Sequence, residues 1–362
     1  MRTAPTFVLL LAALAVPLAA DDSKPKVYVV ELEPCPHPKG YVCYRAAKPV
    51  TIDGKLTDEA WAAAPWSDGF VDIEGDKKPK PRHRTRMKML WDDEALYIAA
   101  ELDEPHVWAY LTDHDSVIFQ DNDFEVFIDP NGDNHDYAEF ELNARNTTWD
   151  LLLTKPYKDP GCRVLNAWEI VGLKTATHVN GTLNDPRDTD KGWSLEIKWP
   201  WKGLQELTND KLPPKDGSQW RINFSRVEWD TTVVGDKYVK VKGRPEHNWV
   251  WSPQGVIDMH RPERWGYVQF STAETGKAEF KPDPDWARRD LLHRVYYAQR
   301  NFKTKNGKFA ANTDDLGLKK LSDSVTLEAT GQTFTATVRE PHAGQKKPKS
   351  WTIFQDSRMA VE

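Results

Sequence analysis

From Lys48 to about Phe270 apolar and polar residues alternate with the two-residue period of strands. In WSLEIKWP, Trp193, Leu195, Ile197 and Trp199 share one face, and Ser194, Glu196 and Lys198 share the other. QWRINFSRVEW sets Trp220, Ile222 and Phe224 opposite Arg221, Asn223 and Ser225. RTRMKMLW places Met87, Met89 and Trp91 against Arg86 and Lys88, and ALYIAAELDE follows across a DDE turn, as in a hairpin. Only TDEAWAAA and WKGLQEL allow short helices. Many short strands punctuated by Gly, Pro, Asn and Asp predict a mainly β fold, an antiparallel β-sandwich.

Past the linker TAETGKAEFKPDPDW the period changes. WARRDLLHRVYYAQRNF carries Leu291, Leu292, Val295, Tyr296 and Phe302 as one helical stripe, ended by NGKF. SVTLEATGQTFTATVRE, readable as a hairpin, and SWTIFQDSRM then predict strands, giving a small C-terminal α+β module. Its helix–loop–strands order weakly resembles the soluble part of type IV pilin-like proteins, without their hydrophobic N-terminal helix. The organisation read from the chain is a leader over 1–20, an extension over 21–45, a sandwich over 46–271, a linker over 272–284 and the module over 285–362.

The leader follows from Arg2, the apolar run from Phe7 to Leu18 and small residues ending at Ala20. That run is too short to span a bilayer of about 30 Å as a helix. The chain is therefore expected to be exported, with no membrane span after cleavage. No Cys follows the cleavage point, which argues against a lipoprotein.

The net charge of −6 divides unevenly. Residues 281–362 hold 15 Lys and Arg against 10 Asp and Glu, which leaves −12 for residues 21–280. So acidic a domain is a poor match for nucleic acid, whose phosphates demand Lys and Arg. Cys35 and Cys43, either side of PHPKG, are expected to close a local disulfide, leaving Cys162 over. Scattered cysteines without a CxxC give no zinc signature. The 16 tryptophans hint at aromatic faces able to stack on sugars.

Candidate chemistry concentrates in DNDFEVFIDPNGDNHDYAEFELN, residues 121–143. Phe124, Val126 and Ile128 share a face of the first strand, and Phe140 and Leu142 a face of the second. Pairing through the DPNGDN turn puts those sets in the core and leaves Glu125, Glu141 and Asn143 on one polar face. Such a face either stays solvated or hydrogen-bonds sugar hydroxyls beside an aromatic wall.

VTIDGKLTDEAWAAAPW, MKMLWDDEALYIAAELDEP, DNDFEVFIDPNGD, GWSLEIKWPWKGL and RWGYVQF occur in an order that resembles family 9 carbohydrate-binding modules, over roughly Ala46 to Ser271. The resemblance implies an exported β-sandwich that binds sugars between two aromatic walls above a polar floor, with structural calcium ions. The family's floor acid falls on Glu125 and its asparagine on Asn143; the position of its arginine is Glu141 here. The first wall falls on Phe119. The second, three residues before Pro262, falls on Met259, so Trp249 and Trp251 are candidates to supply the missing ring.

Other readings attach to the same residues. Asp129, Asn131 and Asp133 alternate like an EF-hand start, but Asn134 replaces the turn glycine and Phe140 the bidentate acid. Calcium at a cluster of Asp121, Asp123, Asp129 and Asp133 remains an expectation. Glu125 and Glu141 could form a glycosidase pair, although no nucleophile elbow, HExxH or P-loop is present. Haem ligation by Met259 or His260 with Met87 or Met89 is a further reading. The function expected is non-catalytic binding of a neutral oligo- or polysaccharide by a monomer, serving polysaccharide recognition or breakdown, with no required cofactor. A structural or surface-assembly protein that kept the sandwich and lost the sugar site is the alternative.

Overall fold

The alternating segments join into one continuous, strongly curled sheet. The computed structural model describes residues 28, 34–318, 324–340 and 348–362, so the leader expected over 1–20 lies outside the described residues. β1 (Gly40–Arg45), α1 (Glu59–Ala63) and β2 (Val71–Asp72) come first, and β3 (Thr85–Trp91) and β4 (Ala95–Asp103) form the hairpin expected across DDE. β5 (Asp123–Asp129), β6 (Tyr137–Asn143), β7 (Thr148–Leu153) and β8 (Val164–Leu165) make a meander. β9 (Lys174–Asn180), β10 (Gly192–Pro200), β11 (Gln219–Glu228), β12 (Thr231–Val234), β13 (Lys237–Lys240), β14 (His247–Val250) and β15 (Gly266–Ser271) follow.

The strand order is β8-β7-β6-β5-β11-β15-β1-β3-β4-β10-β9, with β14 on β11 and β2, while β12 and β13 form a separate ribbon. The sheet folds over on itself, so Phe124, Phe140 and Phe224 of one half meet Met89, Ile98 and Trp199 of the other in a single core. Phe140 and Trp199 pack edge-on at 5.9 Å between centroids. Two features differ from the sequence reading. β1, placed in an extension, pairs with β15 and β3 in the middle of the sheet, and both pairings are parallel.

The C-terminal module is helix α2 (Trp286–Asn306) on the sheet β16 (Thr326–Ala329), β17 (Phe334–Arg339), β18 (Ser350–Phe354) and β19 (Met359–Val361). SWTIFQDSRM, read as one strand, turns at residues 355–357 into two. Leu292, Val295 and Tyr296 bury their stripe against Phe334, Trp351 and Ile353. Gly307, left-handed at φ 72°, caps the helix.

The module docks on the β5–β6 turn. Asn134 Nδ2 donates to His293 Nε2 at 2.9 Å and to the Ser357 carbonyl at 2.8 Å, and the Met359 amide donates to the Asp133 carbonyl. Asp159 accepts from Tyr296, Arg300 and Ser357. The expected Cys35–Cys43 disulfide does not form. Cys43 points from β1 into the core, whereas Cys35 lies against α2, its carbonyl accepting from Trp286 Nε1.

Candidate functional site

On β5 and β6, Phe124, Val126, Ile128, Phe140 and Leu142 are wholly buried in the core. The opposite parity brings Asp123, Glu125 and Phe127 into register with Asn143, Glu141 and Glu139. β7 continues the two inner rows with Trp149 opposite Glu141 and Leu151 opposite Glu139. β11 sets Ser225 beside Glu125, and β14 sets Asn248 beside Val227.

This second face is not a solvated one. Glu125 and Glu139 are each 5 % exposed, Glu141 2 % and Asn143 not at all. Loops from four places cover it. The turn at Ile118–Gln120 brings Phe119, the segment after β7 brings Tyr157, and those flanking β14 bring Glu246, Met259 and His260. They leave a cavity of about 180 Å³, with Glu125, Glu139 and Glu141 as its floor and Phe119, Phe127, Trp149 and Tyr157 as its walls. Larger clefts of about 690 and 420 Å³ lie at the linker and beside Trp249, and neither gathers glutamates among several aromatic rings.

The floor is held by the chain around it. Glu141 Oε2 accepts from the Phe119 amide at 2.9 Å, so the floor sets the position of one wall. Tyr137 Oη and His260 Nδ1 share a hydrogen bond of 2.8 Å, and Tyr157 stands edge-on to His260 at 4.4 Å. Burial pushes Glu125 up to about 7, with the charge of Glu246 adding to it. Burial, then repulsion among the acids, drives Asp123, Glu139 and Glu141 well above the ordinary carboxylate range. Burial lowers His260 to about 4, so this ring is neutral near pH 7. Among the described residues no Lys or Arg lines the cavity. Lys240, the basic side chain beside Asp121 and Glu246, lies 3.6 Å over the Trp229 ring and donates to Gln120.

A model of the family described as "Carbohydrate family 9 binding domain-like" matches residues 52–250, more than half of the chain. The chain belongs to that family. Among solved structures, a family 9 module from Caldicellulosiruptor kristjanssonii in complex with cellotriose is 18% identical. It covers 67% of this chain and 100% of its own, with a TM-score of 0.42. The same organism's module in complex with glucose gives 17%, 66%, 100% and 0.42. A Bacteroides uniformis protein proposed to be carbohydrate-binding gives 16%, 65%, 100% and 0.47. No curated protein matches the chain.

In this family 9 chain Phe119, Glu125, Glu141 and Met259 come together around one cavity. The other three residues expected there do not. Asn143 turns its amide to the Leu111 carbonyl and Asp121, while its oxygen accepts from the Arg145 and Thr147 amides. Trp249 and Trp251 fail on parity: Asn248 faces the cavity, so its neighbour Trp249 points to the other side, and Trp251 follows it into the core. Trp249 stacks on Arg82 and Arg226, and Trp251 packs beneath Gly266, where a Cβ would come within 2.2 Å of the indole. Arg264, in the turn before β15, faces Asp290 and does not line the cavity. Met87 and Met89 are core residues with no exposed surface, which removes them as partners for a haem held by Met259 or His260.

The expected calcium cluster is not assembled. Asp121 and Asp123 precede and begin β5 while Asp129 and Asp133 end and follow it, about 20 Å away at roughly 3.3 Å per residue. Backbone amides occupy all four: Tyr110 and Leu111 on Asp121, Val227 on Asp123, Gly132 and Asn134 on Asp129, His135 on Asp133. Asp123 instead groups with Glu125 and Glu141, ligand oxygens within 4.8 Å of one another. Amides of Val227 and Phe119 already hold one oxygen each of Asp123 and Glu141. The oxygens left fall short of the six to eight that calcium takes, so these residues do not fit it by themselves.

Phe127, Glu139, Trp149, Tyr157 and Glu246 were not singled out from the sequence, and His260 was named only as a haem ligand. Glu139 shares the parity of Glu141, and TTWDLLL as the next strand would have brought Trp149 beside it. Tyr157 and Glu246 sit on loops without periodicity, where the sequence carries no such signal.

Proposed function

We propose that this chain binds carbohydrate without cleaving it, at the cavity over β5 and β6. The observation that carries the reading is the grouping of Glu125, Glu139 and Glu141 with Phe119, Trp149 and Tyr157 in a concave site. Aromatic rings offer a sugar its apolar face at little entropic cost, while carboxyl groups accept from hydroxyls and, when protonated, donate to them. The cavity is smaller than the roughly 300 Å³ at which drug-sized pockets begin, which suits one ring rather than a chain segment. Four glutamates make acidic sugars poor ligands. Affinity is expected on the order of 10 μM or weaker.

Hydrolysis is not part of the proposal. Glu125 and Glu141 lie side by side on one sheet face at the floor of the cavity, whereas glycosidase carboxyls flank the scissile bond. Met259 in place of an aromatic wall favours the alternative, a scaffold that lost its site; Trp149 and Tyr157 weigh against it by restoring aromatic surface. Export of a monomer remains part of the proposal, supported by the leader pattern. No helix among the described residues is long and apolar enough to cross a membrane.

A glycan array tests the reading, with Glu125→Gln as the control. Binding to one glycan class that the variant loses supports it. An array silent for the folded wild-type protein favours the scaffold.

A further inference from the structure

Elsewhere in this molecule buried acids come with a partner. Glu104 and Glu228 share Arg226, at 2.6 and 2.8 Å, and Glu228 also takes Arg82 at 2.9 Å. Glu263 has Arg261 at 3.0 Å and Lys158 at 3.9 Å. Glu196 has no cation but accepts from the Asp53 and Gly54 amides and from Trp61 Nε1.

The cavity floor has an amide, that of Phe119 on Glu141, but no cation among the described residues. Glu125, Glu139 and Glu141 converge with no Lys or Arg of the described residues lining the site. Glu139 is 5 % exposed, and its Oε2, with no hydrogen-bond partner among the described residues, lies 3.9 Å from Nε2 of the neutral His260 ring. Behind the floor, the fully buried Asp123 Oδ2 is likewise unpartnered. Burying charge without a counter-charge is costly, and buried acids in proteins are paired or bind cations. Without such a partner the acids stay protonated, and a positively charged group entering the cavity is what would let them ionise.

Resting on the carbohydrate reading above, we propose that the pocket selects a sugar residue carrying a free, protonated amino group, seated among Glu125, Glu139 and Glu141 with the ring against Trp149 and Phe119. An ammonium carries three donors and no acceptor, matching carboxyl groups that become acceptors when they ionise against its charge. The aromatic walls decide between an organic and a metallic cation. Rings attract an ammonium through their π faces but cannot ligate a hard divalent ion. The inference goes past the neutral glycan favoured by the sequence and names a basic one.

Calorimetric titration of the full chain with three probes tests it: the fully deacetylated chitin trisaccharide, its N-acetylated counterpart, and cellotriose. Each is run with chelator and again with calcium chloride. The deacetylated probe is expected to bind at least roughly tenfold tighter than either of the others, the least that one charged hydrogen bond would give. Chelator should make no difference, and Glu139→Gln should bring the preference down to about threefold or less. Glu246→Gln, at the rim, serves as a second variant should Glu139→Gln fail to fold, and is expected to reduce the same preference. Equal or tighter binding of cellotriose would overturn the amino-group inference and leave the carbohydrate reading standing. Sugar binding only with calcium present would overturn it in favour of a metal. Failure of all three probes to bind the folded protein would overturn the amino-group inference, leaving the wider array to judge the carbohydrate reading.

Discussion

Glu125 and Glu141 stand directly opposite one another on neighbouring antiparallel strands, both almost fully buried. Like charges in that relation destabilise a sheet, so the pair is a cost that folding alone does not explain. Its burial lifts Glu125 from 4.5 to about 7. A carboxyl whose folded pKa is raised contributes stability that is fully present below 4.5 and lost as pH rises through about 7. Without ligand, Glu125→Gln should match the wild type below pH 4.5 and become progressively more stable than it up to about pH 7. Thermal unfolding of both proteins across that range measures the difference. A gap that fails to open with rising pH, or a variant that becomes the less stable of the two, would show Glu125 to be charged and compensated.

His293 works in the opposite sense. Burial lowers it to about 3, and it accepts from Asn134 across the docking interface. Stability from its neutral form is present above pH 6.5 and lost as pH falls through about 3. Hydrogen exchange in α2 should accelerate as pH is lowered, beyond the intrinsic change in exchange rate. Asn134→Ala should cost about 1–3 kcal/mol at neutral pH by leaving buried groups unpaired. Denaturant midpoints check the size of that loss.

The tryptophans divide into core and site. Trp251→Ala should destabilise by about 3–5 kcal/mol, because the ring is 1 % exposed beneath Gly266. Trp251→Phe, milder, should leave sugar affinity intact. Trp149→Ala should do the reverse, changing the unfolding midpoint little and weakening binding by roughly tenfold. Paired denaturation and titration of the three variants separate the roles.

Alkylation provides a test of the cysteines. Without reductant, denatured protein should take up label at Cys35, Cys43 and Cys162, while native protein should leave the fully buried Cys43 unlabelled. A peptide holding Cys35 and Cys43 cross-linked would contradict this.

Much of the framework was legible because alternation is a local signal. Phe124, Val126, Phe140 and Leu142 fell on the core face as their parity required, and the stripe on WARRDLLHRVYYAQRNF became α2. The burial of the other face was not legible. It depends on Phe119, Tyr157, Glu246 and Met259, which arrive from loops far apart in sequence. The acids of the turn misled for a related reason. Asp129 and Asp133 look like metal ligands in a row, but their oxygens cap their own turn, and that turn carries the C-terminal module. For Trp249 the signal was present: placing Asn248 on the cavity side fixes Trp249 on the other.

The most direct test of the sugar pocket is fluorine NMR of protein labelled with fluorotryptophan, titrated with the glycan that binds best. The Trp149 resonance, assigned by its loss in Trp149→Phe, is predicted to shift on binding while Trp249 and Trp251 stay in place. A saturable shift of Trp249 or Trp251 with Trp149 unmoved would place the sugar elsewhere and contradict the account.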